Sequence, residues 1–237
     1  MKDLLIDGLN FRCTNNVEKW RVETLLTKEK GTIQWLRAEL QAGECLWDIG
    51  ANIGCYTLYA ARLAGPDGRV VAFEPHLESA ASLLWNWQLN KSVAPVDIVT
   101  MPLAKRSGFA SFNYSEITAG ASNNQLSNEP TSSVMAELKY AVAGDEVLSH
   151  VRQPNLIKLD VDGLELQILK GMQNVLLGVR SLQVEVTPAN MDSIGTLLLD
   201  AGFKLAERHW TANGKKAIAK GADPLSVVHN AIYQRSA

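Results

Sequence analysis

The stretch Leu46-Trp47-Asp48-Ile49-Gly50-Ala51-Asn52-Ile53-Gly54 decides the fold of this chain. An apolar run ends in an acid, a Gly-x-Asn-x-Gly turn follows, and residues 56–63 then favour a helix. Gly50 and Gly54 can adopt positive φ or let a ligand approach the backbone closely. The start of the helix offers unpaired N–H groups. The pattern therefore predicts a strand, a tight turn and a helix that meet at a ligand.

A second apolar run lies at the distance expected in a strand–helix–strand unit. Residues 69–73 form this run, and Glu74 follows it, about 20 residues after Gly54. An acid at this position of the unit can hydrogen-bond the hydroxyl groups of a ribose. The two runs together predict a site for an adenosine-containing cofactor.

Apolar strand patterns and helical patterns alternate along most of the chain. This alternation predicts an α/β fold with a mostly parallel sheet covered by helices, and the last two strands form an antiparallel hairpin at one edge. We expect a single domain over residues 1–237, with a helical N-terminal preamble at 1–43 and a core at 44–237. The predicted strands are 45–49, 69–73, 96–101, 109–114, 134–142, 156–159, 182–186, 203–209 and 231–234, and the predicted helices are 17–28, 32–40, 56–63, 164–177 and 191–201, with one more after Pro75.

The middle of the chain contains a long polar segment, residues 117–133, that is rich in Ser, Asn, Gly and Thr. Polar connections of this length are uncommon in compact domains unless they have a function. The segment is interpreted as a lid or a substrate loop. The alternative is a surface excursion without a function.

Composition excludes several classes of protein. Over 237 residues the formal net charge is −2, and Lys and Arg are scattered, so no nucleic-acid partner is expected. No apolar run reaches the ~18 residues of a membrane-spanning helix. The N-terminal apolar segment is too short for a secretion signal, so a cytoplasmic location is predicted. Cys13, Cys45 and Cys55 lack the paired spacing of zinc ligands and are expected to be reduced.

The acid in front of the glycine turn restricts the choice of cofactor. Asp48 would repel the pyrophosphate of a dinucleotide, and the chain has neither a Tyr-x-x-x-Lys pair nor a Walker motif. An acid suits a cationic ligand instead. S-adenosylmethionine carries an ammonium, a sulfonium and a ribose that Glu74 could bind. The turn therefore favours S-adenosylmethionine over a nicotinamide cofactor.

Three groups of residues resemble the FkbM family of class I methyltransferases: Asp48-Ile49-Gly50-Ala51-Asn52-Ile53-Gly54, Ala72-Phe73-Glu74-Pro75, and Ile157-Lys158-Leu159-Asp160-Val161-Asp162-Gly163-Leu164-Glu165 with Leu169-Lys170-Gly171. The resemblance implies a Rossmann-like, seven-stranded sheet whose last strand is antiparallel. It also implies S-adenosylmethionine-dependent O-methylation of a small molecule or a sugar by the core at 44–237. The family usually has Glu at the position of Asp162, whose side chain is shorter.

The candidate site residues follow from the turn, the acid after the second strand and the acids after the strand at 156–159. Because the carboxyl ends of parallel strands line the ligand crevice, these groups should meet. Asp160 and Asp162 are the candidates for orienting the acceptor or for removing its proton, and no metal site is predicted. The predicted cofactor-binding residues are Asp48, Gly50, Ala51, Asn52, Gly54, Tyr56, Glu74, Pro75, His76 and Asp160.

Each acid and aromatic of this set also has a structural interpretation. Asp48 and Asn52 could serve the turn alone, Glu74 could be a surface acid at a helix start, and Tyr56 could be a core aromatic. Asp160 could cap the helix at 164–177.

The sequence does not decide the roles of His76 and Glu185. His76 could lie beside the adenine or have no function. Glu185, within a very apolar strand, needs a partner if buried, and a pair with Lys158 is one possibility.

The expected function is methyl transfer from S-adenosylmethionine to a hydroxylated small molecule. The alternatives are a nucleotide-binding oxidoreductase or a non-catalytic binding module, with a nucleic-acid methyltransferase least favoured. Acids near Asp160 could also bind a divalent cation, although no dedicated motif is present. No membrane partner is expected, and the sequence does not indicate the oligomeric state.

Overall fold

A computed structural model of the chain describes residues 2–91, 93–127 and 133–235. Thirteen strands and nine α-helices lie within these residues. The strands are β1 (Lys2–Ile6), β2 (Leu9–Cys13), β3 (Cys45–Ile49), β4 (Arg69–Phe73), β5 (Val96–Val99), β6 (Leu103–Ala104), β7 (Gly108–Tyr114), β8 (Gln125–Ser127), β9 (Met135–Ala143), β10 (Leu156–Leu159), β11 (Ser181–Val186), β12 (Phe203–His209) and β13 (His229–Arg235). The helices are α1 (Asn16–Glu23), α2 (Lys30–Glu39), α3 (Cys55–Ala64), α4 (Leu77–Gln88), α5 (Gly144–Val147), α6 (Glu165–Lys170), α7 (Gln173–Leu177), α8 (Met191–Asp200) and α9 (Ala212–Ala219).

A seven-stranded sheet forms the centre of the molecule, in the order β12-β13-β11-β10-β3-β4-β5. Strands β3, β4, β5, β10 and β11 pair in parallel, and β13 pairs antiparallel with both β11 and β12. The sheet grows in one direction from β3 to β5 and in the other from β10 to β11, so the strand order reverses between β3 and β10. In open α/β sheets the ligand crevice lies at this switch point. The predicted fold class is confirmed.

The central strand β3 is buried along its whole length and contributes to two hydrophobic cores. Because successive side chains of a strand point to opposite faces, Leu46 packs into one core with Tyr59, and Trp47 packs into the other with Phe73. Helices cover both faces, as the near-continuous apolar strands require. The position of the Asp48–Gly54 turn is therefore fixed from two sides.

The N-terminal region contains a hairpin that the sequence interpretation missed. Strands β1 and β2 are joined through Asp7 and Gly8, which both have positive φ. An Asp-Gly pair between short apolar strands is a recognised hairpin signal. Helix α1 begins with a capping box in which Asn15 and Glu18 exchange hydrogen bonds, and Glu18 also accepts a hydrogen bond from Ser82 on α4. The predicted helices at 17–28 and 32–40 are both present: α1 ends earlier than predicted, and α2 begins two residues earlier and ends one residue earlier.

Three other elements differ from their predicted form. The helix predicted at 164–177 is divided into α6 and α7 at Gly171, where a Cβ would overlap the backbone carbonyl of Ala104. A smaller four-stranded sheet, in the order β6-β9-β7-β8, occupies the middle of the chain. The polar connection between β12 and β13 contains α9.

Within the described residues, no helix is long and apolar enough to cross a bilayer.

Candidate active site

A cavity of about 180 Å³ opens at the carboxyl ends of β3, β4, β10 and β11, and we call it the cleft. It therefore lies at the switch point of the sheet. Polar groups from the glycine turn, from β4 and from the loops after β10 and β11 meet apolar side chains there. The cleft is lined by Arg21, Lys28, Glu29, Ile49, Gly50, Asn52, Phe73, Glu74, Pro75, Pro102, Leu103, Phe112, Ala121, Ser122, Asn124, Leu126, Asp160, Val161, Asp162, Leu164, Ile168 and Glu185.

Gly50 brings the turn after β3 against the end of β10. Its φ is +84°, and a Cβ at this position would overlap the carbonyl oxygen of Asp160. The N–H groups of Gly50 and Ala51 both donate to the carbonyl of Phe73, at 3.0 and 3.1 Å. Gly54, at the start of α3, also has positive φ, and a Cβ there would overlap the side chain of Leu83. Both glycines are required by close packing, and only Gly50 lines the cleft.

Asn52 adopts the left-handed conformation that its residue type tolerates, with φ of 52°. Its backbone N–H donates to Oε2 of Glu74 at 2.7 Å. Its side-chain Nδ2 donates to the carbonyl of Ala121 at 3.0 Å, and its Oδ1 accepts from the N–H of Ile53. Asn52 therefore joins the glycine turn to the acid after β4 and to the polar segment in the middle of the chain.

Glu74 is buried at the end of β4 and is held by two backbone amides. Oε1 accepts from the N–H of His76 and Oε2 from the N–H of Asn52, both at 2.7 Å. Burial raises its pKa to about 7, although the two N–H groups oppose this shift. Pro75, the next residue, also lines the cleft. The carboxylate is thus fixed in orientation and retains lone pairs for a ligand.

His76 supports the start of α4 and does not line the cleft. Its side chain is only 1% exposed. Its Nδ1 accepts from the N–H of Ser79 at 3.2 Å, and its Nε2 contacts the carbonyl of Glu116 at 2.9 Å. A neutral ring with its proton on Nε2 satisfies both contacts. The structure therefore places His76 as a helix cap and not in the predicted position beside the ligand.

Asp48 forms a buried ion pair beneath the cleft. Its Oδ1 lies 3.1 Å from Nζ of Lys158, and its Oδ2 accepts from the hydroxyl of Thr57 at 2.6 Å. Lys158 also lies 3.7 Å from Asp160. Burial alone would lower the pKa of Lys158, but Asp48 and Asp160 outweigh it and hold the pKa above its ordinary value. Asp48, predicted to face a cationic ligand, faces Lys158 instead, and Lys158 does not pair with Glu185.

Tyr56 and Ala51 border a small cavity of about 50 Å³ that adjoins the cleft. The hydroxyl of Tyr56 donates to Oε2 of Glu29 at 3.2 Å, and the ammonium of Lys158 lies over its ring. Glu29 also pairs with Lys28 at 3.0 Å. Sequence reasoning missed Lys28 and Glu29, because a run of charges before a helix normally indicates a solvated surface.

The loop after β10 is built around Glu165, which the sequence interpretation did not select. Oε1 of Glu165 accepts from the N–H groups of Val161 and Gly163, both at 3.1 Å. Helix α6 has Leu164 at its N-cap position, without a side-chain cap, so the capping interpretation of Asp160 is wrong. Burial raises the pKa of Asp160 above its ordinary value, although Lys158 opposes this. Asp160 and Asp162 both line the cleft, as predicted.

The described part of the polar segment predicted at 117–133 contributes one wall of the cleft, through Ala121, Ser122, Asn124 and Leu126. Ala119 to Ala121 are buried, and Nε of Arg21 donates to the carbonyl of Gly120 at 2.6 Å. Oδ2 of Asp162 accepts from the N–H of Asn123 at 2.6 Å. The part of this segment at 128–132 lies outside the described residues. Its part at 120–123 is anchored to the fold by hydrogen bonds with Arg21, Asn52 and Asp162.

Glu185, near the carboxyl end of β11, is a second acid of the cleft, after Glu29, that the predicted site lacked. Burial, reinforced by the negative charges of Asp160, Glu165, Asp162 and Glu29, raises the pKa of Glu185 to about 8. An acid within an apolar strand was visible in the sequence. The groups that face it come from distant parts of the chain and could not be identified from the sequence. Among the residues that the structure describes, no group of three or more His, Cys, Asp or Glu is arranged to hold a metal ion.

Solved methyltransferases share this fold. Magnesium protoporphyrin IX methyltransferase from Synechocystis PCC 6803, with bound SAM, superimposes with a TM-score of 0.53 at 13% identity, over 95% of this chain and 86% of that chain. Fibrillarin from Aeropyrum pernix, in complex with S-adenosyl-L-methionine, gives a TM-score of 0.52 at 12% identity, over 98% and 81%. At these identities the likeness concerns the fold alone.

Similarity in sequence shows the family to which this chain belongs. A protein named hexuronic acid methyltransferase AglP, from Haloferax volcanii, is 32% identical over 173 residues, which are 71% of this chain and 66% of that protein. Methyltransferase 1 from Beauveria bassiana is 26% identical over 67% of this chain and 72% of its own length. The model of the methyltransferase FkbM domain matches residues 48–205. The match spans the glycine turn, Glu74, the loop after β10 and Glu185, and the chain belongs to the FkbM methyltransferase family.

Proposed function

We propose that this protein transfers a methyl group from S-adenosylmethionine to a hydroxyl group of a small molecule, with a sugar as the favoured acceptor. One observation carries the proposal. The carboxylate of Glu74 is fixed beside the turn at Asn52, on the same cleft as Asp160 and Glu185. A group that binds ribose and groups that handle a hydroxyl thus share one cavity at the switch point.

The residues of the cleft fit the cofactor. Glu74 can accept hydrogen bonds from the two ribose hydroxyls, and Gly50 lines the cleft without a side chain that would exclude a ligand. Asp160 and Glu29 supply negative charge for the cationic amino-acid end. When bound, S-adenosylmethionine supplies a methyl group on a sulfonium, and the protein positions the acceptor and removes its proton.

The other half of the cleft favours a neutral acceptor. Asp160, Asp162 and Glu185 lie there with apolar side chains such as Phe112 and Leu126. Within the described lining, the cations Arg21 and Lys28 are already engaged, Arg21 with the carbonyl of Gly120 and Lys28 with Glu29. The relative from Haloferax volcanii is named for a hexuronic acid, which supports a sugar. The acids of this cleft favour a sugar without a carboxylate.

A labelled-methyl assay tests this proposal. Methyl glycosides of neutral hexoses and of the matching hexuronic acids would be offered as pairs that differ only in the carboxylate. We expect label on the neutral sugar, at a rate at least about tenfold above that of its acid, because like charges in the cleft repel the carboxylate. Preference for the acid would contradict the choice of acceptor, and no transfer to any hydroxyl would contradict O-methylation.

Glu74→Ala is expected to weaken S-adenosylhomocysteine binding about 10- to 100-fold. A charge-assisted hydrogen bond is worth about 1.5–3 kcal/mol, which is the source of this range. Glu78→Ala, on the exposed start of α4, is the matched control and should bind as the wild type does. Calorimetry at about pH 8, where Glu74 is ionised, measures both. Unchanged affinity in a folded Glu74→Ala protein would remove Glu74 from the site.

Asp160→Asn is expected to reduce turnover by at least about 10²-fold while the fold survives. The amide has the same shape but carries no charge, so it can hold the acceptor hydroxyl or the cationic end of the cofactor only weakly, and it no longer balances Lys158. Asp192→Asn, on the exposed surface of α8, tests for a general effect of removing an acid. Near-normal methyl transfer by Asp160→Asn, measured at saturating cofactor, would refute the role of Asp160.

A further inference from the structure

Glu185 differs from the other acids of the cleft because it has no partner. No residue that the structure describes donates a hydrogen bond to its carboxylate or forms an ion pair with it. The other acids that line the cleft each contact a protein group. Glu74 accepts hydrogen bonds from two backbone amides, and Asp162 accepts one from the N–H of Asn123. Asp160 lies beside Lys158, and Glu29 contacts Lys28 and Tyr56. The carboxylate of Glu185 is half-buried and faces the cleft, so its hydrogen bonds are left for water or for a ligand bound there.

The position of Glu185 suits contact with the acceptor. Strand β11 pairs with β10 in parallel, with Leu159 beside Val184, so the next residues along the two strands are Asp160 and Glu185. Both lie at the carboxyl end of the sheet and line the cleft. Glu185 is one strand further than Asp160 from the glycine turn on β3 and therefore lies on the side of the cleft away from the expected cofactor.

We propose that Glu185 is the proton acceptor for the hydroxyl group that is methylated. This inference rests on the proposed function and adds a residue to it. The acceptor oxygen gives its proton to the carboxylate of Glu185 as it forms a bond with the methyl carbon. The bond between that carbon and sulfur breaks, and its electron pair stays on sulfur, which becomes a neutral thioether. The protonated carboxyl group later releases its proton to solvent.

The charges around Glu185 agree with this role. The groups that face it are Asp160 and Asp162 in the loop after β10, Glu165 on α6 and Glu29 before α2, and together with burial they raise its pKa to about 8. A general base is most effective when its pKa lies near the working pH. Only the ionised form accepts a proton, so turnover should rise with pH and level off above about 8.

Three variants test the inference in the full-length protein. Glu185→Gln removes the base with little change in shape, Glu185→Asp keeps a shorter base, and Glu146→Gln changes an exposed acid that does not line the cleft. The measurements are kcat and KM for a sugar acceptor from about pH 6 to about pH 10, and the affinity for S-adenosylhomocysteine. Because ionised Glu185 is unfavourable in the fold, Glu185→Gln should be at least as stable as the wild type above pH 8.

We expect Glu185→Gln to lower kcat about 10²- to 10⁴-fold, to lose the rise with pH and to bind S-adenosylhomocysteine normally. Glu185→Asp should retain part of the rate and the pH dependence. A Glu185→Gln protein within threefold of the wild-type kcat, or one that retains the pH profile, would overturn the role of Glu185 and leave methyl transfer intact. A wild-type protein that binds cofactor but methylates no acceptor would overturn both.

Discussion

Gly50→Val should lose cofactor binding, with affinity for S-adenosylhomocysteine reduced by more than about 100-fold. Two effects act together at this position. The residue has a φ of +84°, which a β-branched side chain cannot adopt without strain, and the added Cβ would overlap the carbonyl oxygen of Asp160. The turn would have to move away from β10, and the N–H groups of Gly50 and Ala51 would leave the carbonyl of Phe73.

Gly43→Val separates the two effects. Gly43 has almost the same φ, +83°, but no atom lies within 4 Å of the position of its Cβ. It lies before β3 and outside the cleft, so this variant carries the backbone strain alone. Calorimetry and thermal unfolding should show normal cofactor binding for Gly43→Val. Wild-type affinity in Gly50→Val would mean that the turn does not hold the cofactor.

Lys158→Met should destabilise the protein by about 3–5 kcal/mol, the usual cost of removing one member of a buried ion pair. Asp48 is fully buried, and without Lys158 its carboxylate retains only the hydroxyl of Thr57. The attraction between Lys158 and Asp160 would be lost as well. Denaturant unfolding measures the change in the free energy of unfolding, and the loss should be present before any ligand is added.

The double variant Lys158→Met with Asp48→Asn checks the cause. The amide carries no charge, so most of the lost stability should return, and the coupling between the two changes should exceed about 1 kcal/mol. A loss of less than about 1 kcal/mol in Lys158→Met alone would contradict the assignment of a dry ion pair beneath the cleft.

The sequence predicted the features that follow local rules. The alternation of apolar strands and helices gave the parallel sheet, and the glycine turn, with Asn52 in the left-handed region, lies where its residue types require. The acids at Glu74, Asp160 and Asp162 line one cleft because parallel strands end at the same edge of the sheet. These conclusions need only spacing and the preferences of residue types.

The partners of the charged side chains could not be predicted in the same way. Asp48 and Lys158 are 110 residues apart, and only the register of β3 against β10 brings them together. Because of this register, Asp48 forms an internal ion pair with Lys158 and not the predicted contact with a ligand. His76 likewise follows an acid that lines the cleft, yet its ring turns towards Ser79 and Glu116. Pairing between distant elements, and not composition, decides such roles.

A calorimetric titration of the protein with S-adenosylmethionine, S-adenosylhomocysteine and reduced nicotinamide adenine dinucleotide tests the central claim most directly. The arrangement of Glu74, Asn52 and Gly50 predicts that the two sulfur-containing ligands bind at one shared site, and that the dinucleotide produces no heat and does not displace them. Binding of the dinucleotide, with no binding of S-adenosylmethionine, would contradict the account.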